Sequence, residues 1–140
     1  MMKVRLFMLL LLWLAASASV VADGQGEFFF SRVDHRQGLS NRAVLCLFQD
    51  SKGLMWLGTY DGVNCWDSKS METFRSDFSS QPTLSNNVIH SISQADSSCL
   101  WISAHLGINR FSQTSRRVVG NYYFPGDYYL FSNSSGNTWV

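Results

Sequence analysis

The chain has 140 residues, of which 46% are apolar, 14% aromatic and 15% charged. That is too apolar for a disordered segment, too often interrupted by Gly, Ser and Asn for a coiled coil, and enough for one modest domain. The formal charge is +1; with Lys3 and Arg5 set aside, nine basic residues face ten acidic ones from Asp23 onward, so the charge balance gives no support to a nucleic-acid surface.

Residues 1–22 follow their own logic. Met1-Met2-Lys3-Val4-Arg5 is a short positive start, and Leu6 to Ala16 is an unbroken apolar run. Such a run is too short to span a bilayer comfortably and fits the apolar region of a secretory signal peptide. Cleavage is expected after Ala18 or Ala22, with Ala22 preferred and an uncleaved anchor as the lesser reading. Export permits disulfides, yet Cys46, Cys65 and Cys99 are odd in number and show neither CxxC nor CxxH spacing. They read as small buried hydrophobes, and no metal site or cofactor is expected.

Residues 23–37 come next, and Glu27 to Val33 reads as a single strand at an outer edge. From Leu39 a repeat sets in: Leu39-Ser40-Asn41, Gln49, Trp56, Gly62 and Asn64 recur 45 positions later as Leu84-Ser85-Asn86, Gln94, Trp101, Gly107 and Asn109. Gapless identity at this spacing marks one supersecondary unit copied along the chain. In the first copy the apolar pattern has period two and is broken at Asp50-Ser51-Lys52-Gly53 and Asp61-Gly62, which predicts strands at Ala43–Gln49, Leu54–Tyr60, Val63–Asp67 and Met71–Arg75. The second copy predicts strands at Val88–Gln94, Cys99–Ala104, Ile108–Phe111 and Arg117–Tyr123. A third copy starts near the end, where Ser134-Ser135-Gly136-Asn137-Thr138-Trp139-Val140 fits over Ser51 to Leu57 and sets Trp139 beside Trp56 and Trp101.

Four short antiparallel strands repeated at 40–50 residues, with Gly and a bulky aromatic at fixed places, is the pattern of a β-propeller blade. The expected fold is therefore all-β: residues 38–82 as blade 1, 83–123 as blade 2 and 124–140 as the start of blade 3. That is about two and a half blades of an incomplete ring. Residues 23–37 would close the outer edge of a last blade.

From Gly38-Leu39-Ser40-Asn41 through Asp50-Ser51-Lys52-Gly53-Leu54-Met55-Trp56-Leu57-Gly58-Thr59-Tyr60-Asp61-Gly62-Val63-Asn64 the sequence resembles the two-component regulator propeller repeat. The second copy keeps Trp101, Gly107, Ile108 and Asn109, but Ala95-Asp96-Ser97-Ser98 and Ser103-Ala104 replace the turn and the Gly-Thr pair. The resemblance implies the extracytoplasmic sensor of a membrane-bound hybrid histidine kinase of Bacteroidota that senses an oligosaccharide and controls glycan use. It also implies further blades, a transmembrane helix and kinase domains downstream, so the sequence is expected to be a fragment. A homodimer of the full-length sensor, periplasmic localisation and no catalysis within these residues follow from the same resemblance.

Trp56, Trp101 and Trp139 are read as packing between blades rather than as platforms for sugar rings. Gly62 and Gly107 are read as turn residues needing φ > 0, and Asn64 and Asn109 as side chains that hold that turn. Recurrence argues for structure in all of these. Ligand candidates are the loop-end positions that differ between copies: Tyr60 and Asp61 against His105 and Leu106, and Arg42 against Asn87. Arg116-Arg117 read as a solvated strand edge. His35, His90 and His105 lie in no recognisable catalytic motif. Two rivals stay open, a secreted propeller lyase or hydrolase and a non-catalytic interaction scaffold; apolar Val44 and Ile89 at the inner strands count against the enzyme.

Overall fold

The computed structural model describes residues 29–77, 82–124, 126–133 and 137–139. The expected signal peptide and the first residues of the expected edge strand lie outside them. Phe29–Val33 form no strand, and Asp34 instead caps a 3-10 turn at His35–Gln37 that ends on left-handed Gly38. An edge strand exists only by hydrogen bonding to a neighbour, and none of the described strands pairs with these residues.

Two four-stranded antiparallel sheets follow. The first runs β1 (Val44–Gln49), β2 (Met55–Thr59), β3 (Gly62–Trp66) and β4 (Met71–Phe74), in spatial order β1-β2-β3-β4. The second repeats the order with β5 (Ile89–Gln94), β6 (Cys99–Ala104), β7 (Gly107–Ser112) and β8 (Arg117–Tyr123). A two-stranded hairpin of β9 (Phe131–Ser132) and β10 (Thr138–Trp139) ends the described chain. These are β-propeller blades.

Register shows that all three are copies of one hairpin. Trp56 pairs with Phe48, Trp101 with Ser93 and Trp139 with Phe131, so each indole faces the residue eight positions before it. The turn hydrogen bonds coincide as well: Asp50 N–H donates to Leu54 O (3.0 Å), Ala95 N–H to Cys99 O (2.9 Å) and Asn133 N–H to Asn137 O (3.0 Å). Where the second copy has Ala95 in place of Asp50, Asp96 takes over the side-chain role one residue later, accepting from the N–H groups of Ser98 and Cys99. Short polar side chains satisfy tight-turn donors in this way.

Each recurring residue has an identifiable task. Leu39 and Leu84 are buried. Asn41 Oδ1 accepts from Ala43 N–H, and Asn86 Oδ1 from Val88 N–H, so each bends the chain into the first strand of its blade. Asn64 and Asn109, both fully buried, do not hold their own turns as expected. Asn64 Oδ1 accepts from Ser40 N–H and Thr73 Oγ1, and its Nδ2 donates to Ser40 Oγ. Asn109 does the same with Ser85 and with Asn121 in the place of Thr73. Buried amides of this kind are kept only when satisfied; here they bind the entry segment and the outer strand to the middle of the blade.

Gly62 sits at φ +96°, as expected, but Gly107 does not need a positive φ; the left-handed residue in that turn is Leu106. What the two glycines share is a close approach. A Cβ would stand 2.3 Å from Phe74 O at Gly62 and 2.9 Å from Tyr122 O at Gly107, so the outer strand can cross only over a residue without a side chain.

The core lies between the two blades. Trp56, fully buried, stacks near Phe74 of its own blade and meets Phe111 of the next edge-on, with ring centroids 5.4 Å apart. Asp50 is buried beside it and accepts from Trp56 Nε1 (2.8 Å) and from Gln113 Nε2 of the second blade (2.5 Å). Arg116, expected at a solvated edge, instead lies over both Trp56 and Phe74 and pairs with Glu72, strapping the second blade to the first.

Candidate functional site

Antiparallel order gives each blade two ends. The β1–β2 and β5–β6 turns, with Asp50 and Asp96, lie at one end. At the other lie the starts of β1 and β5, the β2–β3 and β6–β7 turns, and the segment leading into β9. All four sequence candidates fall at this second end: Arg42 just before β1, Tyr60 and Asp61 in the β2–β3 turn, and His105 in the β6–β7 turn. Loops at the end of a rigid blade are where recognition is placed.

Their surroundings differ. Tyr60 is exposed, as is the side chain of Arg42. Asp61 is engaged by Arg75, which donates from Nε to Oδ1 (3.1 Å) and from Nη2 to Oδ2 (2.9 Å). Asn87, the counterpart of Arg42, is structural: its Oδ1 accepts from Ser76 N–H and its carbonyl from Gly62 N–H. Recurring Asn64 and Trp56 are buried, but Asn87, which differs from its counterpart Arg42, is also tied into the fold by hydrogen bonds.

His105 belongs to a group that the sequence reading missed. Its Nδ1 lies 2.6 Å from Asp127 Oδ1, and His90 Nε2 lies 3.2 Å from the same oxygen. The hydrogen bond from His105 is the main reason the Asp127 carboxyl is held below its ordinary pKa. Tyr129 packs on His90 at 5.8 Å between ring centroids. No motif in the sequence singles out Asp127; only the return of the chain after β8 brings it to the two imidazoles.

Trp101 has the same place in its sheet as Trp56, with Tyr122 against it as Phe74 is against Trp56. Its far side borders a cleft of about 440 Å³ lined by Ile108, Tyr122, Phe124, Leu130 and Thr138. Trp139 in the third hairpin is half exposed. Asn137 also lines the cleft, whereas Phe111 covers the corresponding indole Trp56 edge-on.

Residues 38–61 match the sequence profile of the two component regulator propeller family. No curated protein matches the chain. Among solved structures, the chain is similar to one described as the extracellular domain of a hybrid two component system, BT3049 of B. thetaiotaomicron, with a TM-score of 0.64 and 22% identity over 75% of this chain and 16% of that one. It is also similar to the extracellular domain of BT4673 of the same organism, described as a hybrid two component system, with a TM-score of 0.61 and 18% identity over 76% of this chain and 15% of that one. The chain thus spans about one sixth of the length of the structures it matches, and the likeness concerns the fold. Among the described residues no helix is long and apolar enough to cross a membrane.

Proposed function

We propose that this chain is the front part of the ligand-sensing propeller of a membrane-bound hybrid two-component histidine kinase. It lies in the periplasm after export, with further blades, a transmembrane helix and the kinase following. The observation that carries the reading is the matching register of three successive hairpins, one of them within the matched repeat, with the loop-end candidates Arg42, Tyr60, Asp61 and His105 at one end. The ligand would sit on that end, where Arg42, Tyr60 and Asp61 supply a cation, a ring and a carboxylate suited to the hydroxyls and apolar faces of an oligosaccharide. Binding acts on the kinase only through its preference for one arrangement of a sensor homodimer over another. The chain itself does no chemistry.

Two measurements test this. Reading the gene past Val140 is expected to reveal a stretch of about 20 apolar residues followed by a kinase histidine motif; a stop codon directly after the last blade would leave the scaffold or enzyme reading. Calorimetry of the intact ectodomain against a panel of oligosaccharides is expected to give saturable binding that Tyr60→Ala weakens. No binding across the panel would contradict the ligand class.

A further inference from the structure

We propose that His90, His105 and Asp127 form a binding site for one divalent transition-metal ion of the Zn²⁺ class. The proposal rests on side-chain placement and not on the sensor reading. His90 Nε2, His105 Nδ1 and a carboxylate oxygen of Asp127 all lie within 4.8 Å of one another. They come from three separate elements: strand β5, the β6–β7 turn and the segment before β9.

A plain hydrogen-bonded cluster explains only part of this geometry. Asp127 Oδ1 is bonded to His105, whereas His90 Nε2 is buried, points to the same oxygen and makes no aligned hydrogen bond. A buried imidazole nitrogen without an aligned partner is costly unless something else satisfies it. A cation between the three atoms does so, taking the lone pairs of two neutral imidazoles and the carboxylate.

The donor set selects the ion. Two nitrogens and one oxygen suit Zn²⁺ and its neighbours, while Ca²⁺ and Mg²⁺ take oxygen ligands. Bonds of about 2.0–2.1 Å at tetrahedral angles put donor atoms roughly 3.3 Å apart, so Asp127 and His105 must draw back from their present 2.6 Å contact. Both are about half exposed on loop ends and can move, while His90 is largely buried on its strand. Three protein ligands leave a fourth position open to water or to an oxygen of a bound ligand. The ion would also fasten the segment entering the third hairpin onto the second blade.

The test is titration of the full chain with Zn²⁺ alone by calorimetry, and with Co²⁺ alone by visible absorption. Expected are one equivalent bound and the d–d bands of a four-coordinate N/O site. His105→Ala and Asp127→Asn should each weaken binding at least about tenfold, with an unchanged far-ultraviolet circular dichroism spectrum, and His35→Ala should leave it unaltered. Three results would overturn the site: no stoichiometric binding, equal affinity in the His105 and Asp127 variants, or a thiolate-to-Co²⁺ charge-transfer band assigning the ion to the cysteines.

Discussion

The wedge around Trp56 and the wedge around Trp101 are built from equivalent positions and end in different states. Trp56 is fully buried under Phe111, Asp50 and Arg116. Trp101 keeps its in-blade partner Tyr122 and has Arg110 at 6.0 Å from its ring, yet borders an open cleft. The residues are alike and the neighbours are not: a blade buries its middle strand only when another blade closes on it. Tyr122 and Phe124 stay exposed beside that cleft, and Leu45 and Leu47 stay exposed on β1.

The largest difference should come from truncating the two indoles. In the intact protein Trp56→Ala is expected to cost roughly 3–5 kcal/mol, read from urea unfolding. Trp101→Ala should match it only where a following blade covers the cleft, and should cost distinctly less in the chain of 140 residues. Equal losses in that short chain would break the comparison. The asparagines should behave oppositely, because their networks lie inside each blade. Asn64→Ala and Asn109→Ala should each cost roughly 1–3 kcal/mol through stranded buried polar groups, and unequal values would show that the blades are not equivalent at that point.

Acid should separate the blades more gently. The N–H of Ser98, followed by the Arg110 guanidinium, holds the Asp96 carboxyl well below the ordinary carboxylate range. A carboxyl depressed in the folded state contributes stability that is complete above its unfolded pKa and is lost as pH falls through the folded one. The contribution of Asp96 should therefore persist at neutral pH and fade below about pH 4. Hydrogen exchange in β6 should speed up there, and Asp96→Asn should remove that pH dependence. Smallest is the exposed Asp61–Arg75 pair, where Arg75→Ala should change stability by less than about 1 kcal/mol; a larger loss would make that turn structural rather than available for recognition.

How much was legible follows from what each feature depends on. Within the two blades strand positions were readable because period two and the Asp-Gly and Ser-Lys-Gly breakers are local; Cys99–Ala104 and Arg117–Tyr123 stand as expected, and the other six differ by one residue at one or both ends. The tasks of Asn64 and Asp50 were hidden, since their partners, Ser40 and Gln113, are set by blade closure and packing. Arg116 looked like an edge residue because nothing in its own strand reveals two rings from the neighbouring blade. The group of His90, His105 and Asp127 left no spacing signal, as the loop after β8 alone brings it together. A signal was available in one form: positions 45 and 60 of the first copy are Leu45 and Tyr60, so both imidazoles are departures from the repeat.

Blade-on-blade packing through the Trp56–Phe111 contact is tested most directly by a double-mutant cycle with Trp56→Phe and Phe111→Leu, read from unfolding free energies. A shared aromatic interface predicts a coupling of about 0.5–1.5 kcal/mol between the two sites. Strictly additive losses would mean that the two sheets do not lean on one another through these rings.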